Sequence, residues 1–394
     1  MRGSVRTDVT TGFFGASACP SPAPQFILRF AQGTGTLSPS KARGRGKDQS
    51  PMRTRTFLTF IAPSFVLMAL FIAVPFVSVF WQSFNLTRGV FKTVTVETCN
   101  PGFLGPPTCT KETRSEPVRG SDGAPVTTSE FVGLQNYRAL LQFDVVAKAM
   151  GPDGKGLSEV MSIDFYRALR FTLTFTFVTL PFVLILGLVI ALAVDNATKA
   201  MRGPIIFVSL LPYVVTPVIG ALSIRWLFVG DGILVQAMEH FLGRRVSLFS
   251  DGNAIELLML FYRVWHVAPF AFIVFYAGLQ TMDKQVTEAA LIDGASRWRR
   301  LLHITLPHLA PLTIFVSLIH LMDAYRVFDE VIGFNAQAHR ISLQWLTFFY
   351  LTPDYTGNRA ISRASASAML TMVGVVLLLV PLLVRTWRDQ RGTR

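Results

Sequence analysis

The chain has 394 residues, 51% of them apolar and only 15% charged, with a mean hydropathy of +0.44. Soluble domains carry about 25% charged residues, so the composition excludes an ordinary soluble fold and points to a bilayer protein. The net charge of +13 fits the gathering of Lys and Arg on one membrane face, and no nucleic-acid partner is expected.

Residues 1–51 lack apolar periodicity and are rich in Gly, Ser, Pro, Thr and Arg, which reads as a disordered basic extension. The apolar stretch Gln25-Phe-Ile-Leu-Arg-Phe30 is too short for the core of a signal peptide. Met52 opens the stretch Met-Arg-Thr-Arg-Thr ahead of a long apolar run, and translation is expected to start there. Residues 52–394 then form one polytopic domain.

A bilayer core of about 30 Å takes about 20 helical residues. Six runs approach that length, at 57–81, 168–194, 204–228, 256–279, 309–327 and 367–387. They are apolar on every face, as membrane spans are. Prolines 63, 75, 181, 212, 217 and 269 lie inside them and are tolerated where neighbouring helices satisfy the carbonyls they leave open. Basic residues precede the first run, follow the last, and lie between runs two and three and between four and five. With six crossings all four regions share one side. That side is cytoplasmic by the positive-inside rule, with both termini inside.

The fold expected is an all-α integral membrane protein of six transmembrane helices, with a cytoplasmic helix–turn–helix at 283–307 and a long periplasmic loop at 82–166. In that loop Phe91-Lys-Thr-Val-Thr-Val-Glu97 alternates as a strand does; an irregular loop is the alternative. Cys99 and Cys109 fall in the same loop. If it is periplasmic they can pair as a disulfide, and otherwise they are two thiols. No CxxC or Cys/His cluster suggests a metal.

The segment 283–311 is polar, basic and broken by a glycine. Residues 284–292 are good helix formers, Gly294 suits a helix end, and Ser296 can cap a second short helix. Trp298, Leu301 and Leu302 offer apolar anchors beside Arg297, Arg299 and Arg300. A connector lying on anionic lipid would explain the arginines but not Glu288, Asp293 or the paired helices.

The run Glu288-Ala289-Ala290, then Gly294, Ile304 and Leu306-Pro307, resembles in every spacing the EAA loop of ABC-importer permeases. Phe131-Val-Gly-Leu-Gln-Asn-Tyr137, Leu210-Leu-Pro-Tyr213, Trp265-His-Val-Ala-Pro-Phe270 and Asp323-Ala-Tyr-Arg-Val-Phe-Asp329 are similar to segments of the binding-protein-dependent carbohydrate permeases, of maltose and glycerol-phosphate type. The chain departs from that pattern at Gly333-Phe-Asn-Ala-Gln-Ala and at Gly230-Asp-Gly232, where a binding protein would dock. The resemblance implies that Glu288, Ala289, Ala290, Asp293, Gly294, Ile304, Leu306 and Pro307 couple to an ATPase. It also implies a second permease, two ATPase subunits, a periplasmic solute-binding protein and a sugar or polyol as cargo.

Ionisable groups inside spans are costly and often functional. Arg263 and His266 lie one turn apart, and Asp323 and Arg326 are spaced to pair on one helix face. Asp323, Tyr325 and Arg326 suit a sugar, which binds through aromatic faces and hydrogen-bonding side chains, and the matching helix lines the pathway in the resembled family. A structural ion pair at a helix end is the equal alternative. The chain carries no phosphate-binding GxxxxGK[ST] and no nucleophile with a catalytic partner. It is therefore expected not to be an enzyme and to need no cofactor, ATP being hydrolysed by the partner. An ion-coupled secondary transporter is the rival reading.

Overall fold

The computed structural model describes residues 54–100, 108–121, 126–151, 156–230, 232–243, 249–354 and 358–392. The expected extension at 1–51 and the start at Met52 lie outside them. The chain divides into one unit, Met1–Ser64, and a second, Phe65–Arg394. The described part of the first unit is the opening of helix α1 (Thr54–Met68).

In the second unit a π turn, Ala69–Ala73, leads into α2 (Val74–Ser83). Strands β1 (Asn85–Gly89), β2 (Phe91–Asn100), β3 (Thr108–Pro117) and β4 (Thr127–Phe131) follow. They form two antiparallel pairs, β1 with β4 and β2 with β3. The alternating 91–97 segment is thus part of β2. The rest of the long loop holds the short helices α3 (Gln135–Leu141), α4 (Phe143–Ala149) and α5 (Leu157–Val160). The amide of Asn136 donates to the carbonyls of Ser83 and Asn85, and Tyr137 donates to Ser83 Oγ. These bonds fasten α3 to the end of α2.

The helices that follow are α6 (Asp164–Asn196), α7 (Lys199–Val214), α8 (Pro217–Phe228), α9 (Ile233–Leu242), α10 (Gly252–Gln280), α11 (Lys284–Ile292) and α12 (Arg297–Arg300). A π turn at Leu301–Thr305 joins α12 to α13 (Leu306–Tyr325); then come α14 (Asp329–Gly333), a 3-10 turn at Ala336–Ala338, α15 (Leu343–Leu351) and α16 (Ile361–Gly392). Among the described residues, five helical stretches are long and apolar enough to span a bilayer: Thr59–Ser83, Asp164–Asn196, Gly252–Gln280, Arg297–Tyr325 and Ile361–Arg388. The sixth expected span is a bent pair, α7 and α8, meeting at 93°.

The run 204–228, expected as one span carrying prolines 212 and 217, is thus broken into two helices. Thr216 precedes Pro217, whose ring disfavours helical geometry in the residue before it, and Val215 and Thr216 are both extended. The opened carbonyls find partners on α10. His266 Nε2 lies 2.9 Å from Val215 O, and the Tyr262 hydroxyl donates to Pro217 O at 2.8 Å. Gly220 gives that hydroxyl its space.

A second correction concerns the fifth span. It was expected at 309–327, yet the helix runs on from Arg297 to Tyr325. Proline removes an N–H and crowds the carbonyl four residues back. Each π turn stands just ahead of a proline, Pro75 or Pro307, and widens the helix there: Leu306 N donates to Leu301 O, one residue beyond the α-helical step.

The central contact is α6 against α10. Val183, Phe272, Phe275 and Leu309 make one core there, and Phe171, Phe175, Tyr262 and Phe334 another. The two helices approach closely at Gly187, where an added Cβ would lie 2.6 Å from Ala271 Cβ and 2.9 Å from Phe272 N. A backbone atom cannot swing aside, so overpacking here costs about 1–3 kcal/mol. Gly187→Ala is expected to lower the melting temperature of the detergent-solubilised protein. Gly203→Ala, where nothing lies within 4 Å of the new atom, is expected to leave it unchanged or higher.

Candidate functional site

Arg263 is 4% exposed, on α10 and deep in the bundle. An isolated cation there would be untenable, and two carboxylates answer it. Its Nη1 donates to Glu330 Oε1 of α14 at 2.7 Å, and its Nη2 to Asp323 Oδ2 of α13. Glu330 is 1% exposed, whereas the Asp323 side chain is 63% exposed. Asp323 faces a cavity of about 400 Å³ bounded by the α7–α8 break, α10, α13 and Asp329, within the usual size range of small-molecule sites. Tyr213 stacks on Phe270 and tilts against His266 at its wall.

Two histidines complete the polar lining. His266 holds the Val215 carbonyl, and His320 Nε2 lies 2.9 Å from Thr179 Oγ1 of α6. In each ring Nδ1 is buried with no protein partner, and so is Arg263 Nε. Burial raises the Asp329 carboxyl above the ordinary carboxylate value and the adjacent Glu330 adds to the rise, against the pull of Arg263. Farther out, Arg340 closes α10 onto the segment after α14 by bonding Glu256 at 2.5 Å and Asn253 at 2.6 Å.

Of the three residues expected on the solute path, the fold brings Asp323 to the cavity. Asp323 is paired with Arg263 of another helix rather than with Arg326 of its own, and Arg326 is exposed. Tyr325 is buried in a separate core with its hydroxyl against Gly374 of α16. Helix rotation explains the separation: Tyr325 is two residues past Asp323, so it faces about 200° away. His320, one turn before Asp323, shares its face. That spacing was the signal that could have found it. Glu330 had no such signal, because its carboxylate meets Arg263 from 67 residues away.

The segment 283–307 forms an elbow. Asp283 caps α11 by accepting from Gln285 N, and Ser296 caps α12 by accepting from Arg299 N. Gly294 turns the chain with φ +71°, and Ala295 N donates back to Ala290 O. Glu288, Ala289, Asp293, Gly294 and Pro307 are exposed, and Ala290, Ile304 and Leu306 are half-buried. Ile292 at 86% and Trp298 at 74% exposure leave a large apolar surface bare on this tip. Among the described residues no group of three or more His, Cys, Asp or Glu could hold a metal.

Removing one partner of a buried ion pair costs about 3–5 kcal/mol because it strands the other. Arg263→Met is therefore expected to destabilise the solubilised protein by several degrees, and the double variant Arg263→Met with Glu330→Leu to regain much of the loss, as read by thermal denaturation.

A family description matches residues 161–391, that of the binding-protein-dependent transport system inner membrane component. The trehalose/maltose transport system permease protein MalF of Thermococcus litoralis is 29% identical over 262 residues, covering 63% of this chain and 79% of that protein. The sn-glycerol-3-phosphate transport system permease protein UgpA of Escherichia coli is 29% identical over 259 residues, covering 64% and 79%. The arabinooligosaccharides transport system permease protein AraP of Bacillus subtilis is 29% identical over 265 residues, covering 64% and 74%. In three dimensions the chain resembles a bacterial ABC transporter involved in import of the acidic polysaccharide alginate, with a TM-score of 0.59 at 18% identity over 87% of this chain and 97% of that one. More than half of the chain matches the family description, so the protein is a member of the binding-protein-dependent transport system inner membrane components.

Proposed function

We propose that this chain is the membrane-spanning subunit of an ATP-driven importer and passes a sugar or polyol through the cavity beside Arg263. The observation that carries this reading is one unbroken helix, Arg297–Tyr325. It bears the elbow at one end and Asp323 of the cavity at the other. The distance along it is about 39 Å at 1.5 Å per residue. A push on the elbow therefore reaches the cavity through a stiff rod.

The work comes from outside the chain. Two ATPase subunits grip the elbows of this subunit and of a second permease, and a periplasmic binding protein delivers the solute. ATP is bound and hydrolysed on the partner. The elbow and both termini face the cytoplasm in this reading, and the β1–β4 region faces outward. Ile292 and Trp298 supply apolar docking area, each removed from water at about 25 cal/mol per Å². Glu288 adds a charge-assisted contact worth about 1.5–3 kcal/mol, and Asp293 and Gly294 shape the turn. Ile304, Leu306 and Pro307 anchor the elbow to the rod.

Glu288→Lys reverses that contact, and Gly294→Asp places a side chain where φ is +71°. Both are expected to abolish ATP-driven uptake in proteoliposomes and to weaken copurification of the ATPase roughly ten- to a hundredfold. Normal uptake by both variants would refute the coupling role. The secondary-transporter reading makes the opposite forecast: gradient-driven uptake by the chain in vesicles that lack any ATPase.

A further inference from the structure

We infer that the cavity accepts an uncharged, hydroxyl-rich solute and turns away solutes bearing phosphate or carboxylate. This rests on the reading that the cavity is the solute's path. Family membership leaves the choice open, since the relatives are named for trehalose/maltose and arabinooligosaccharides on one hand and for glycerol 3-phosphate on the other.

An anion needs an uncommitted cation or a fork of N–H donors. Among the described lining residues, Arg263 is the one guanidinium or ammonium, and both its Nη groups are engaged by Glu330 and Asp323. With Asp329 beside them, three carboxylates stand against one guanidinium, a formal charge of −2 with the histidines neutral. What the wall presents is acceptors: the exposed side chain of Asp323 and the carboxylate of Asp329. Hydroxyl hydrogens satisfy acceptors; phosphate oxygens cannot. Tyr213 and Phe270 offer flat apolar faces to the C–H side of a sugar ring.

The test is calorimetric titration of the complete transporter, solubilised without its binding protein, with four probes: trehalose, maltotriose, glycerol 3-phosphate and spermidine. At least one neutral sugar is expected to bind tenfold or more tightly than glycerol 3-phosphate. Asp323→Asn, which weakens the hold on Nη2, is expected to narrow that gap. Equal or tighter binding of glycerol 3-phosphate, or preference for spermidine, overturns the inference, as does binding of none of the four. ATP-driven uptake with the binding protein present separates the two levels. Uptake of an anion alone sinks the selectivity and leaves the importer standing, whereas absence of any ATP-driven uptake sinks the importer.

The backbone of the outer hairpin carries a second inference independently: we propose that Cys99 and Cys109 are joined by a disulfide. Their side chains lie outside what the structure describes, so the argument is one of strand register. Cys99 stands opposite Cys109 in the β2–β3 pairing. One step before Phe91–Pro117 in the same register, Val118 N donates to Val90 O, which marks a hydrogen-bonded pair. Pairs alternate, so Phe91–Pro117 is a non-hydrogen-bonded pair, the kind that tolerates proline. Eight residues on, Cys99–Cys109 is of the same kind. Opposed Cα atoms there come to about 4.5 Å, within the roughly 4.4–6.8 Å that a disulfide bridges.

Closing the bond removes two protons and two electrons from the thiols, which an oxidising disulfide-carrier protein of the extracytoplasmic compartment accepts as it is reduced to its dithiol. Protein purified without reductant and blocked by alkylation should yield Cys99 and Cys109 in one linked fragment, separated by dithiothreitol. Alkylation of both loop cysteines without reduction overturns it.

Discussion

One buried guanidinium holds three helices of this protein together. Arg263 on α10 reaches α13 through Asp323 and α14 through Glu330. Moving an ion pair out of water carries a desolvation penalty that the pairing itself barely offsets, so the cluster is a poor way to gain stability alone. It ties the helices that flank the elbow at a level far from the elbow. From Arg263 to Gln280, the end of α10, is about 26 Å along the axis. Two stiff helices, pinned at the cavity and joined at the elbow, suit rocking as a pair better than bending.

The same level is where the backbone is least regular. A membrane interior offers no water to an open carbonyl, yet α7 and α8 part at Val215–Thr216. The opening is tolerated because α10 supplies His266 and Tyr262 to the two carbonyls. The broken strand of backbone then becomes a wall of the cavity rather than a defect. The two π turns handle their prolines differently: the helix widens and continues. For the fifth span that continuity matters, since it joins the elbow to Asp323 in one piece.

Much of this was legible in the residue order. Among the described residues, five of the six long apolar runs fall in single long helices, because lipid demands apolar faces all round. Glu288 to Pro307 was readable as an elbow because caps and turns are local: Asp283 and Ser296 bond within three residues, and Gly294 needs only its own φ. The short helices α3–α5 were not readable, as their order depends on contacts with distant segments, such as Asn136 with Ser83.

Order along the chain thus determined what depends on neighbours a few residues apart: apolar spans, helix caps and the glycine turn; at 91–97 it left strand and irregular loop open, and pairing with β3 decided between them. The tertiary structure alone decided which polar groups meet. Asp323 could pair with Arg326 on its own helix or with Arg263 on another, and packing chose the second. Helix rotation put Tyr325 on the opposite face, and packing made that face a separate core. Glu330 gained its role from a partner 67 positions away, and that separation closes only when α10 and α14 pack in the same bundle.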